Sequence, residues 1–245
     1  MTWNGLNRKI VACQRCPRLI EHCQNTARVK RASFANEDYW GKPAPNWAAP
    51  DPASVKLLIV GLAPAAHGAN RTGRLFTGDR SGDFLFRAMY ETGFASQPTS
   101  IRKGDGLELI DCAITGVCHC APPDNKPTLA EMANCRDYLD QTAALLPGVR
   151  GILALGGIAF NASLRLLQRT GWEMPRPMPK FGHGAIAWSL PHGTDNPTTP
   201  PRRRFVIGSY HPSQQNTFTG RLTPEMLRRV FWGARELINA ELGLG

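Results

Sequence analysis

Short apolar runs alternate with longer amphipathic stretches along most of the chain. Val55-Lys56-Leu57-Leu58-Ile59-Val60 and Gly151-Ile152-Leu153-Ala154-Leu155 are almost continuously apolar, the pattern of strands covered on both faces of a parallel sheet. Another strand is predicted within Leu107–Val117 and a fourth at Arg204–Ser209. Helices are predicted near Gly82–Thr92, from about Leu129 to Leu146, and after Gly156-Gly157 to about Gln168. Thr128-Leu129-Ala130-Glu131 is a capping-box sequence, and Thr223-Pro224-Glu225 opens a last helix with a cap and a first-turn proline. Strand–helix alternation predicts an α/β fold: three αβα layers around a central four-stranded parallel sheet.

The ends of the chain fit that frame as one domain over residues 1–245. Residues 1–54 are expected to wrap the core, because Pro43–Pro52 is too rich in proline for regular helix or central strand. Residues 171–203 carry many Pro and Gly with His183, Trp188 and His192, and are expected to form a surface excursion. No internal repeat or low-complexity tract is present.

The candidate chemistry lies where strands end. Gly61–Asp79 is a long polar loop after the first apolar strand, and open parallel sheets bind ligands at such carboxyl ends. Its glycines let backbone N–H groups approach a ligand. Gly68–Leu75 imitates a phosphate-binding loop but lacks its Lys and Ser/Thr, and the first strand is not followed by G-x-G-x-x-G. These absences count against an NTPase or a dehydrogenase. His211-Pro212-Ser213 follows the fourth strand and can donate a hydrogen bond to an oxygen that gains charge. Blander readings exist for each residue: Asp79 or Ser81 as a helix cap, Phe76 as core, Asn125 as a turn residue.

Charge and cysteines narrow the class. The 29 Lys and Arg against 19 Asp and Glu leave a net charge of +10, which favours a polyanionic partner such as nucleic acid. Arg71, Arg74 and Arg80 lie in or beside the first loop, and Arg202-Arg203-Arg204, Arg221 and Arg228-Arg229 form further basic groups. No run is long enough to span a bilayer, and the N-terminus lacks a secretory pattern, so a cytoplasmic location is expected. Seven cysteines without an export signal point away from disulfides. Cys13-Gln14-Arg15-Cys16-Pro17 is a close thiolate pair, and Cys120 and Cys135 can complete a four-thiolate site for zinc or an iron–sulfur cluster. Cys23, Cys112 and Cys118 are expected to be inert.

From about Cys13 to Leu222 these features resemble, in matching order, the family five (B-type) uracil-DNA glycosylases of prokaryotes. The loop is similar to their first motif, His211-Pro212-Ser213-Gln214-Gln215-Asn216 to their second, and Cys13, Cys16, Cys120 and Cys135 to their 4Fe–4S ligands. The resemblance implies a structural cluster and excision of uracil and other deaminated bases, such as hypoxanthine, from DNA; no lysine is a clear Schiff-base nucleophile, so a monofunctional enzyme is expected, and a monomer. It implies that Ala63 and Phe76 contact the flipped base and that Asp79 stabilises the sugar cation or orients water. It further implies base or water contact for Asn125 and a hydrogen bond from His211 to the leaving base, with Asn216 nearby. The Gly220-Arg221-Leu222 loop is implied to approach the duplex. Related family four enzymes carry a carboxylate where this chain has Leu62 and an Asn where it has Gly116, a departure that fits a broader pocket. A non-catalytic iron–sulfur protein that binds nucleic acid is the competing expectation.

Overall fold

The computed structural model describes residues 1–191 and 203–243. Two helices, α1 (Trp3–Val11) and α2 (Pro17–Val29), precede an edge strand β1 (Trp47–Ala48). The core then runs β2 (Leu57–Gly61), α3 (Ala69–Thr72), α4 (Arg80–Glu91), β3 (Cys112–Gly116), α5 (Leu129–Ala144), β4 (Gly151–Leu155) and α6 (Gly157–Arg169). It finishes with β5 (Trp172–Glu173), β6 (Ile186–Pro191), β7 (Arg204–Ser209), α7 (Gln214–Phe218) and α8 (Pro224–Leu242). The capping box of α5 forms as its sequence requires, and Thr223 caps α8 by accepting from the Met226 N–H.

The expected four parallel strands are the centre of the sheet, in the order β3-β2-β4-β7, all with buried residues through their middles. The sheet itself is larger than expected. Among the described residues it has seven strands, because β1 adds antiparallel to β3 and β6 and β5 extend the β7 edge. The correction falls on the expected excursion of residues 171–203: β6 pairs with β7 from Ile186 to Ser189 and buries Ala187 and Ser189. Its alternation of buried and exposed positions is the period-two pattern of a half-covered strand, hidden in the sequence by flanking Pro and Gly. His192 and Arg202 lie outside the described residues.

Helices α4 and α8 pack together, as do α5 and α6, on the sheet between them, with Phe94 and Phe231 in ring contact at 5.8 Å. This is the αβα layering. The chain leaves β2 for β3 on one side and then crosses to β4 on the other, so a crevice opens between β2 and β4 at their carboxyl ends. Open α/β sheets bind ligands at that switch point.

Candidate active site

The loop between β2 and α4 is clamped rather than free. Arg71 and Arg74 are both 7% exposed. Arg71 pairs with Glu37, donates to the carbonyls of His67 and Gly78, and stacks on Phe34. Arg74 pairs with Asp105 at 2.7 Å and reaches Thr77 and Ser100 while covering Trp47. Hydrogen bonds from Arg74 and three backbone N–H groups hold the Asp105 carboxyl at about 2, against the opposing effect of burial. The sequence had placed Arg71 and Arg74 in a nucleic-acid footprint; their guanidiniums are committed inside the loop. Much of the other basic surface is also paired, Arg203 with Glu241 and Arg228 and Arg229 with Glu225.

That clamping sets three groups at the crevice. Phe76 takes a left-handed backbone (φ 52°), costly for a bulky residue and of the kind that clusters at functional sites. Its ring lies over Gly61, where an added Cβ would fall 2.8 Å from Phe76 Cζ. The same ring meets the His211 imidazole at 6.0 Å with a 35° tilt. Gly156, at the end of β4, stands beside His211, its added Cβ 3.7 Å from the His211 Cβ. The two motifs expected to cooperate therefore face each other across the switch point.

Asp79 is both cap and candidate acid. Its Oδ1 accepts from the Gly82 N–H at 2.9 Å, starting α4, and its Oδ2 lies against Gly68, where any Cβ would collide with it. Desolvation pushes this carboxyl up from the usual range, partly opposed by the N–H groups of Gly82 and Ser81. Burial pulls His211 down to about 4, so the ring is neutral at ordinary pH. Asn216 donates from its side chain to the His211 carbonyl at 2.9 Å, which places it as a brace of the histidine loop.

The other expected site residues divide. Ala63 is half-buried in the loop after Gly61. Asn125 sits in a left-handed turn (φ 57°) and is exposed, and its side chain makes no hydrogen bond among the described residues. Arg221 is exposed and stacks on Tyr210 at 4.7 Å. Leu222 corrects the expectation for its loop: it is 1% exposed, in the main core, so only Gly220 and Arg221 of that trio can meet a duplex. Gly116 has a local reason to be glycine. Val117 and Cys118 donate back to the carbonyls of Gly61 and Leu62, and a Cβ on Gly116 would fall 2.5 Å from the Cys118 carbonyl.

Two supports escaped the sequence reading. His183 Nδ1 accepts from the Tyr210 N–H at 3.2 Å, and its ring lies 5.1 Å from Tyr210, bracing the histidine motif from the expected excursion. Phe218 is 67% exposed just beyond the motif and carries Arg80 over its ring at 5.2 Å, joining the ends of both loops. A lone Phe in the polar stretch after His211 was the available signal.

Cys13, Cys16, Cys120 and Cys135 line one small cavity with His119, Asn134 and Tyr138. Asn134 donates to the Cys16 sulfur at 3.4 Å. His119 is 1% exposed, its Nδ1 bonds the Ala44 carbonyl, and its Nε2 has no partner among the described residues. A thiol hydrogen bond from Cys118 lowers Cys135 below the usual thiol range, against the effect of burial. In the second thiol pair the assigned ligand is the donor: Cys120 donates to Cys23, which lowers Cys23 and, together with burial, raises Cys120. In this side-chain arrangement no three His, Cys, Asp or Glu of the described residues are set to hold a single metal ion. The donor set still fits a thiolate-held group: four sulfurs around one cavity, with a buried unpartnered nitrogen on its wall.

A switch-point mouth between a glycine-rich first loop and a histidine motif defines the class, and residues 49–232 match the Uracil DNA glycosylase superfamily. A curated type-5 uracil-DNA glycosylase of Mycobacterium leprae is 46% identical, over 95% of this chain and 94% of that protein. Similar proteins of the same description occur in Mycobacterium bovis, 46% identical over 96% of this chain and 82% of the relative, and in Thermus thermophilus, 41% identical over 93% and 94%. The chain belongs to the type-5 uracil-DNA glycosylases of that superfamily. None of the described helices is long and apolar enough to cross a membrane.

Proposed function

We propose that this protein removes uracil from DNA by hydrolysing the N-glycosidic bond, leaving an abasic site. The observation that carries this reading is the Phe76–His211 ring pair held over the strand ends at the switch point. A flipped base stacks on Phe76, beside Ala63. The bond from the base nitrogen to C1′ breaks with its electron pair going to the base. Water then supplies hydroxide to C1′ and a proton to the base. Neutral His211 donates to the base oxygen as negative charge grows there, a contribution worth ~3 kcal/mol for one well-placed donor. Asp79, held beside Gly68, stabilises the positive sugar or orients the water. Asn216 keeps the histidine loop in place. Asn125, exposed in its turn, is assigned to the base or the water, and exposed Arg221 to the duplex.

Extrusion costs least for mismatched bases. A single-turnover assay on a duplex with one uracil opposite guanine, followed by alkali, is expected to give a strand break. Unchanged rates in both Asp79→Asn and His211→Ala would overturn the residue assignment. Gly116 leaves no side-chain amide to demand uracil, so hypoxanthine is expected as a second substrate in the same assay.

The cysteine cavity is assigned to a 4Fe–4S cluster held by Cys13, Cys16, Cys120 and Cys135. When bound, the cluster supplies a structural cross-link and takes no part in bond cleavage. These cysteines join the α1–α2 turn, with Cys13 and Cys16, to the β3–α5 connection, with Cys120, and to α5 itself, with Cys135. Iron content after anaerobic purification decides it. Ala replacements of the four assigned ligands are expected to lose iron and Ala at Cys23 or Cys118 to keep it. The reverse pattern, or zinc in place of iron, would overturn the assignment.

A further inference from the structure

A large cavity lies beside the first loop, and neither Phe76 nor His211 lines it. It is an open groove of about 1340 Å³ between α1, the segment around Trp40–Pro52 and the loop at Lys103–Leu107. Gly73 and Arg74 line it from the first loop, so this groove and the mouth share one loop as a wall. Three tryptophans, Trp3, Trp40 and Trp47, line the groove with Arg8, Lys42 and Lys103. No Asp or Glu of the described residues lines it.

Trp40 is fixed before any ligand arrives. Its indole N–H donates to the Pro43 carbonyl at 3.1 Å, its backbone N–H to Arg71, and its ring rests where a Cβ on Gly73 would come within 2.9 Å. Lys42 and Lys103 reach over this ring from different segments, their ammonium nitrogens 5.8 and 5.7 Å from its centre. Both lysines are exposed. A braced, half-exposed indole between two cations is the arrangement that binds an unstacked base and its flanking phosphates. A duplex offers no free base face to an indole in a groove.

We propose that this groove binds a stretch of single-stranded DNA, with a base stacked on Trp40 and phosphates on Lys42, Lys103 and Arg8. The choice of DNA rests on the proposed excision activity; the choice of an unpaired strand rests on the groove. Binding of a uracil-free oligothymidylate to the whole protein, followed by fluorescence anisotropy across a salt series, tests it without any excision step. The double variant Lys42→Glu/Lys103→Glu is expected to weaken binding at least ~5-fold and to lower the slope of log K against log salt by about 1.4, two single-strand phosphate contacts. Both positions are exposed, and a melting curve verifies the fold. Photocrosslinking with a 5-iodocytosine strand and peptide mapping is expected to place the main adduct on Trp40. Adducts confined to Tyr210 or Phe218, or an unchanged affinity and slope in the double variant, would overturn the proposal. Tighter binding of the matching RNA would overturn the assignment to DNA.

Discussion

At the mouth, polar groups are held by charge and by missing side chains: Arg74 on Asp105, Arg71 on Glu37, and bare Cα positions at Gly61 and Gly68 under Phe76 and Asp79. At the cysteine cavity the frame is apolar, with Leu19, Ile20 and Ala121 buried around Cys16, Cys23 and Cys120. The mouth is tuned for shape and electrostatics at a few atoms. The cavity instead joins the N-terminal helices to β3 and α5, so what fills it bears on how the chain holds together. Damage at His211 or Asp79 should therefore appear in rate, and damage to the cysteine cavity or to the buried Arg74–Asp105 frame in stability.

His211→Ala gives the largest separation. Loss of a preorganised donor is expected to slow single-turnover excision by about 10²–10³-fold. The melting temperature should stay close to that of the parent, since His211 lies in the loop between β7 and α7 rather than in a strand or helix. Cys135→Ala is expected to do the opposite, lowering soluble yield and melting temperature while folded molecules keep most of their rate. Equal effects of both on rate would erase the contrast.

The next test breaks the frame of the mouth itself. Asp105→Asn leaves Arg74 buried without its counter-charge, which costs about 3–5 kcal/mol. For a chain of this size that corresponds to roughly 10 °C in thermal unfolding. The pH dependence has a definite sign. Asp105 is held below its unfolded value, so its contribution is full above about pH 4 and is lost as pH falls through about 2. Thermal melts of parent and variant should converge at the acid end, and melts that stay parallel down to pH 2 would show that the pair does not frame the loop.

The sequence made these two regions legible to different degrees. The four parallel strands were readable because full burial on both faces leaves an unbroken apolar run, as in Leu57–Val60 and Gly151–Leu155. Strand β6 was not, because its half-covered alternation is interrupted by the surrounding Pro and Gly. Phe76 and His211 could be paired from their places at strand ends. The destination of Arg71 and Arg74 could not be read, since an arginine in a loop looks the same whether it meets a phosphate or Asp105. Leu222 was assigned by its neighbours and proved to be core, where hydrophobicity alone would have put it. The thiol contact of Cys23 with Cys120 depends on how the wrap docks, and that of Cys118 with Cys135 on how the chain after β3 lies against α5; spacing encodes neither.

Gly68→Ala probes the mouth at one atom. The added methyl must displace Asp79 Oδ2, and the cap bond to Gly82 resists that movement. A rate loss of about tenfold is expected, since small misplacements of a reacting group are costly, with little change in melting. A rate equal to the parent's would remove Asp79 from the chemistry and leave it as a cap.

The smallest expected effect is a flat pH profile. A solvated histidine titrates near 6.5, and a mouth that used it in that state would show a break there. Burial instead holds His211 at about 4, so it remains neutral across the whole assay range. Its folded value lies below the unfolded one, so the stability of this neutral ring is full above about 6.5 and lost as pH falls toward 4. His211 should therefore contribute no break in single-turnover rate from pH 6 to 9, and an acid limb belongs to Asp79, whose carboxyl desolvation raises. Asp79→Asn should flatten that limb and leave the alkaline side unchanged. A break centred near 6.5 that survives in Asp79→Asn but disappears in His211→Ala would show that His211 is charged when it acts, and the neutral-donor mechanism would fall.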